Sequence, residues 1–259
     1  MTQHVVAFSK LRYVYPDGSV ALSDISLRIT HGECVAVIGA NGAGKSTLLQ
    51  QLNGSLSPTS GEVRVGDLPL NKATLPQIRR TVGMIFQDPD SQLFMPTVFD
   101  DVAFGPLNLG LPPADAEMRA QRALEQVDAW HLRDKPPYLL SGGEKKRVAI
   151  ATVLSMDPAV LAMDEPSSGL DAFARRQLIA LIKGFRHTRI IATHDMDLVA
   201  DACERSIVLH QGRVVADGPS REIFRDEVLL AGCRLEKPLS LQGCPVCRVS
   251  LTLLPSDRG

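Results

Sequence analysis

No run of apolar residues in this 259-residue chain approaches the roughly 18–20 that a membrane-crossing helix requires. The chain is therefore not expected to enter a bilayer by itself. Charge of either sign is not in excess. Twenty-eight Lys and Arg against 29 Asp and Glu leave a net charge of −1, so the broad basic footprint of a nucleic-acid binder is missing. The opening MTQHVVAFSK has neither the basic nor the apolar region of a secretory leader. The expectation is a cytoplasmic chain, held at a membrane, if at all, by another chain. Internal repeats and low-complexity linkers are absent too. Five cysteines are an odd number, which argues against a disulfide framework in a reducing compartment.

What remains is an ordinary globular balance, with 44% hydrophobic and 22% charged residues, enough for one large domain or one domain with an appendage. Short apolar runs alternate with helical patterns, which predicts a largely parallel sheet covered on both faces. HVVAFSKLRYVY and SDISLRI read as strands, ECVAVIG as a short buried strand, and Lys45 to Leu52 as the helix after it. GEVRVGD is expected at an antiparallel edge, and TVGMIFQ as a further strand. A helical block should span about 96–156. AVLAMDE, the helix DAFARRQLIALIKGF, RIIAT and a hairpin turning at Gln211-Gly212 complete the pattern. Cys34 reads as a small core residue and Cys203 as part of a helix. Beyond about Arg225 the periodicity weakens.

Chemistry concentrates at the ends of the apolar runs. GANGAGKST satisfies G-x-x-x-x-G-K-S between a strand and a helix. Gly39, Gly42 and Gly44 let the backbone wrap a phosphate, Asn41 and Ala43 lie within the wrap, and the helix N-terminus adds its positive end. Lys45 would reach the β- and γ-phosphates, Ser46 a Mg²⁺ ion, and Thr47 the α/β-phosphate side. AVLAMDEP brings two carboxylates to the end of a buried strand, a costly place unless they do work. Asp164 suits a water-mediated Mg²⁺ ligand, and Glu165 a general base acting on water. Gln87, ending TVGMIFQ, could touch Mg²⁺ or water. His194, ending RIIATHD, could bond the γ-phosphate and hold the water and Glu165 in place. Tyr15 either stacks on adenine or packs locally. In LSGGEKKR, Ser141, Gly142 and Gly143 can donate backbone bonds to an anion, while Lys145, Lys146 and Arg147 read as solvated charges on a helix face or as added positive potential for that anion.

Taken together, these motifs resemble the ATP-binding subunits of ABC transporters over about Val5 to Asp217. GANGAGKST is like Walker A, AMDE like Walker B, Gln87 the Q-loop, LSGGE the signature, SSGLD with Asp171 the D-loop, and His194 the switch histidine. Glu144 stands where many members have glutamine. The resemblance implies a P-loop NTPase (RecA-like) α/β core with an antiparallel β subdomain and an inserted α-helical subdomain, over residues 1–225, followed by a tail at 226–259. It also implies ATP and Mg²⁺, and a second ATPase copy packed head to tail, so that the signature loop of one chain caps the nucleotide on the Walker A loop of the other.

Within that family, QDPDSQLFMPTVFDDVAFG and YPDGSVALSDISL are similar to energy-coupling-factor importers, most of all the cobalt and nickel ATPases. That implies a transmembrane coupling subunit, a substrate-binding membrane subunit and peripheral attachment at the cytoplasmic face. Other ABC ATPases, of vitamin importers such as biotin's or of exporters, share the cassette motifs. Leu93, Phe94 and Phe99 are candidate contacts for coupling helices, or ordinary packing of the helical block. In the tail, Cys244 and Cys247 have the spacing of half a zinc site, with Cys233 a possible third thiolate.

Overall fold

The computed structural model describes residues 4–242. Two sheets and a helical layer stack together. An antiparallel sheet runs in the order β2-β1-β4-β5, from β1 (His4–Val14), β2 (Val20–Thr30), β4 (Ser60–Val65) and β5 (Leu68–Pro69). The larger sheet has the order β10-β9-β3-β8-β7-β6. It comprises β3 (Cys34–Ile38), β6 (Val82–Ile85), β7 (Val160–Asp164), β8 (Thr188–Thr193), β9 (Arg205–His210) and β10 (Arg213–Pro219). All its pairings are parallel except β9 with β10. GEVRVGD is not at an edge. β4 pairs with β1 on one side and with the two-residue β5 on the other, a strand too short to announce itself in sequence.

Helix α1 (Lys45–Leu52) follows β3, and α2 (Leu75–Thr81) leads into β6. The helical block holds α3 (Val98–Asn108), α4 (Pro113–Gln126) and α5 (Gly142–Leu154), and α6 (Ala172–Gly184) and α7 (Met196–Ala202) flank β8. β3 explains the layering. It is buried throughout, and strand alternation sends Cys34, Ala36 and Ile38 into the core shared with the helical block, and Val35 and Val37 into the core shared with α1 and the antiparallel sheet. A strand dry on both faces carries no period-2 signal, hence the continuous apolar run.

The hairpin turns at Gln211 and Gly212, both with positive φ (48° and 72°), the backbone of a two-residue type I′ turn that matches the strands' twist. After α8 (Ser220–Ile223), Leu230 of α9 (Glu227–Gly232) and Cys233 and Leu235 beyond it still pack into the main core. The folded unit thus continues past Arg225, on too few apolar residues to show a period. Cys233 is a core residue. Burial pushes its thiol's pKa up, away from the thiolate a metal requires, and no metal-ligand cluster occurs among the described residues. Cys244 and Cys247 lie outside the described residues.

Candidate functional site

The parallel strands deliver their polar ends to one place. After Ile38 the chain turns through 39–44 against two neighbours. A Cβ at Gly39 would collide with the Leu209 carbonyl of β9. One at Gly44 (φ +105°) would sit 2.7 Å from the Ala21 carbonyl of β2. Gly42 is also left-handed (φ +79°), with open space beside it. Lys45, Ser46 and Thr47 form the first turn of α1, whose N–H groups have no intrahelical partner and suit an anion. The Lys45 ammonium is buried. It donates to the carbonyls of Gly39 (2.8 Å) and Ala40 (3.3 Å) and lies 3.7 Å from the Glu165 carboxylate. Tyr15 borders the loop, its hydroxyl 2.8 Å from that of Thr47 and its ring edge-on to Tyr13.

Asp164 ends β7, 4% exposed, with Oδ1 buried and lacking a hydrogen-bond partner. Burial pushes its pKa up and the Glu165 charge adds to this, while the Ser46 hydroxyl and the charges of Lys45 and Lys146 pull it down. Glu165 has left the strand with φ of +44°, a conformation uncommon for a residue with a Cβ. It is held there on every side. Its N–H donates to Ala192 (2.8 Å), and its Oε2 accepts from the Thr193 hydroxyl (2.9 Å) and the His194 N–H (3.3 Å). Its Oε1 lies 2.9 Å from His194 Nδ1. The imidazole itself is 62% exposed, so it can face solvent or substrate while still bonded to the carboxylate. Gln87 lies two residues beyond β6 and is exposed.

Ser141, Gly142, Gly143 and Asp171 are placed differently. Ser141 caps α5 in a reciprocal box with Glu144, whose carboxylate accepts from both the Ser141 N–H and hydroxyl at 2.7 Å. Those two bonds, the hydroxyl's first, hold Glu144 below the usual carboxylate pKa. An acid at this position therefore retains the cap. A Cβ at Gly142 or Gly143 would meet nothing within 4 Å. Asp171 is exposed and caps α6 by accepting from Ala174 (2.8 Å). No hydrogen bond among the described residues joins this second group to the first. A single chain therefore carries one glycine-rich loop inside a site and the Ser141–Gly143 segment on open surface.

Sequence reasoning misjudged Lys146. It is not a solvated charge on a helix face but 2% exposed, its ammonium donating to the carbonyls of Gln87 (2.9 Å), Phe86 (3.3 Å) and Glu165 (3.3 Å). Burial lowers its pKa against the upward pull of Asp164 and Glu165. The helical period could have found it. Lys146 is three residues before Ala149 and four before Ile150, both buried on the inward side of α5, whereas Lys145 pairs with Asp90 at 2.6 Å. Lys146 thus fastens the signature helix to the backbone of both Gln87 and Glu165. Lys146→Met keeps the bulk but strips three carbonyls of a donor. We expect a loss of about 3 kcal/mol, read as a melting temperature lower by roughly 6–12 °C. Lys146→Arg should recover much of the lost melting temperature if the tie matters and little if only bulk does.

The segment after Gln87 is similarly fixed. Gln92 donates to the Ala149 carbonyl (2.7 Å) and the Thr152 hydroxyl (2.6 Å) of α5. Of the candidate coupling contacts, Leu93 and Phe99 belong to core packing, Phe99 edge-on to Trp130. Only Phe94 is exposed, at 65%, edge-on to Phe104.

With this geometry in hand, comparison with known proteins is specific. The profile described as ABC transporter matches residues 22–168. A Geobacter sulfurreducens ABC transporter ATP-binding protein of unstated cargo is 66% identical, over 95% of this chain and 99% of its own. The energy-coupling factor transporter ATP-binding protein EcfA of Methanocaldococcus jannaschii is 43% identical (91% and 86% covered), and the cobalt import ATP-binding protein CbiO of Rhodobacter capsulatus 45% (91% and 86%). Among solved structures, CbiO1 of Clostridium perfringens, part of a CbiONQ transporter complex, superposes with a TM-score of 0.77 at 40% identity (89% and 94% covered). A dimeric ATP-binding cassette bound to ADP and phosphate superposes with a TM-score of 0.76 at 29% identity (83% and 99%).

Proposed function

The chain belongs to the ABC transporter family as an ATPase coupled to transport, and we propose that it powers an energy-coupling-factor importer of cobalt or nickel ions by ATP-driven closure of a dimer. The observation that carries the chemical part of this reading is the convergence of Lys45, Asp164, Glu165 and His194 at the mouth of the glycine loop. Kinship with the cobalt import protein and EcfA supports the cargo class and the importer type.

The residues fit a nucleotide with Mg²⁺. Asp164 Oδ1 is buried without a partner and the Ser46 hydroxyl interacts with the same carboxylate, the donor set of a hard cation bound mostly through water. Ser46, Gln87 and Asp164 would hold Mg²⁺, which supplies neutralisation of phosphate charge when bound. Lys45 exchanges the carbonyls of Gly39 and Ala40 for β- and γ-phosphate oxygens, a stronger, charge-assisted pairing. The loop N–H groups hold the phosphates in place. Glu165 accepts a proton from, or orients, the attacking water. Its carboxylate is already fixed by Thr193 and His194 and loses little freedom in doing so. His194, exposed yet bonded to Glu165, can reach the γ-phosphate. Tyr15 offers its ring edge of the loop to the base.

The second phosphate-reading loop then has a purpose. Ser141, Gly142 and Gly143 stand open at the N-terminus of α5 and read a nucleotide held by a second copy, with Asp171 beside them across the dimer. Each copy thereby completes its neighbour's site. The importer is proposed to contain a transmembrane coupling subunit and a substrate-binding membrane subunit. Phe94 and Phe104 form the exposed apolar pair best placed to receive a coupling helix. No described helix is long and apolar enough to cross a membrane, consistent with attachment to the cytoplasmic face through partners. Reconstitution with the membrane subunits that co-purify with it, followed by ATP-dependent uptake of radiolabelled cobalt or nickel, tests the reading. Uptake of a vitamin but neither metal would overturn the cargo assignment.

A further inference from the structure

Two cysteines that sequence reading assigned to separate packing roles meet in the fold. Cys34 opens β3 and Cys203 caps the C-terminus of α7. Although 169 residues apart, their sulfurs lie 3.5 Å from one another. The close approach is tertiary, made by α7 packing back on β3, and neither element has another cysteine. Both thiols border a cleft of about 1660 Å³ whose rim includes His31, Arg189, Glu204 and Arg221. Both residues are largely buried, Cys34 9% and Cys203 5% exposed.

The two thiols are chemically unequal. The hydrogen bond shared with Cys203 holds the Cys34 thiol below its ordinary pKa, and the Arg189 guanidinium adds to this. The same bond and burial push Cys203 up. Arg189 is anchored by donating to the carbonyls of Ile182 and Gly32 (2.9 Å each), while its buried Nε lacks a partner. The arrangement is a nucleophilic thiol beside a fixed cation, with a second thiol poised to attack it.

We propose that Cys34 and Cys203 form a peroxide-sensitive dithiol, a modification site that oxidation converts to a disulfide within the chain. The Cys34 thiolate attacks a hydroperoxide oxygen. An S–O bond forms, the O–O bond breaks, and the leaving oxyanion takes a proton, giving a sulfenic acid. The Cys203 sulfur then attacks the Cys34 sulfur. The S–S bond forms, the S–O bond breaks, and the departing hydroxide leaves as water with the Cys203 proton. With hydrogen peroxide, two thiols and one peroxide give one disulfide and two waters. A thiol reductant reverses the product.

The cross-link would join the start of the strand that carries the glycine loop to the far end of the helix that begins just after His194. Neither sulfur lies at the nucleotide site, so the inference stands independently of the function proposed above. It would also close a very long loop, which constrains the unfolded chain strongly.

The test is peptide mass spectrometry of the folded full-length chain after graded hydrogen peroxide, followed by alkylation and digestion. We expect a Cys34–Cys203 linked peptide that dithiothreitol removes, formed at lower peroxide than any product of Cys233. The oxidised chain should melt at least about 5 °C higher, a shift that Cys203→Ser abolishes. In Cys203→Ser the unresolved Cys34 sulfenic acid should be trapped by dimedone. Wild-type chain in which both cysteines stay alkylatable at peroxide doses that oxidise Cys244 and Cys247 would overturn the proposal. So would Cys34 passing to sulfinic acid with no linked peptide. Both readings come from the wild-type chain and do not depend on a variant folding.

Discussion

Glu165→Gln is expected to bind ATP about as well as the unmodified chain and to lose at least about 100-fold in turnover, the scale of a positioned general base. The amide keeps the size and can still accept from the Thr193 hydroxyl and the His194 N–H, so the left-handed backbone at this position keeps its supports. What goes is the negative charge facing His194 Nδ1 and, at 3.7 Å, Lys45. Losing a carboxylate beside the phosphate site removes repulsion as well as the base, so affinity should hold or improve while the chemical step stops. Steady-state ATPase rates alongside equilibrium ATP binding separate the two effects. Equal losses in both would mean that Glu165 serves structure and not chemistry.

Gly142→Asp should be nearly as damaging to hydrolysis, for a reason that leaves no trace in the isolated chain. A Cβ at Gly142 meets nothing within 4 Å, its φ is not in the left-handed region, and an acid in the first turn of α5 interacts favourably with the helix dipole. The monomer should fold, melt within a degree or two of the parent and bind ATP normally. In a dimer that carboxylate would face a γ-phosphate held by the other copy, and like charges at close range without water repel strongly. ATPase activity should fall by more than about 10-fold, and ATP-dependent association should disappear. An unaffected rate would show that the α5 N-terminus reads no phosphate.

The sequence expressed much of this fold because the strongest signals were local. The glycine loop, the α1 boundaries and the turn at Gln211-Gly212 depend on neighbours in sequence, and so they were readable. The five parallel strands announced themselves as continuous apolar runs because both faces are dry. Asp164, Glu165 and His194 at their ends converge on the loop before Lys45 because parallel strands present their C-termini on one side. What escaped depends on distant contacts. β5 is two residues long and exists only by pairing with β4. Lys146 looks like any helix-face lysine until the carbonyls of Phe86, Gln87 and Glu165 are brought to it from two other elements. Leu93 and Phe99 look like exposed hydrophobes next to Phe94, and only packing of the helical block sorts one from the other two. The Cys34–Cys203 approach joins residues 169 apart and has no local signature at all.

On the function proposed, one chain holds half of each catalytic site and a second copy supplies the rest. Size-exclusion chromatography with light scattering on Glu165→Gln, with and without ATP and Mg²⁺, measures this directly. The expected result is a particle of 28.1 kDa without nucleotide and one of twice that mass with it, and no such doubling when Gly142→Asp is added. Glu165→Gln chains saturated with ATP that remain at the monomer mass would contradict it, and a different ATPase chain would then have to complete the site.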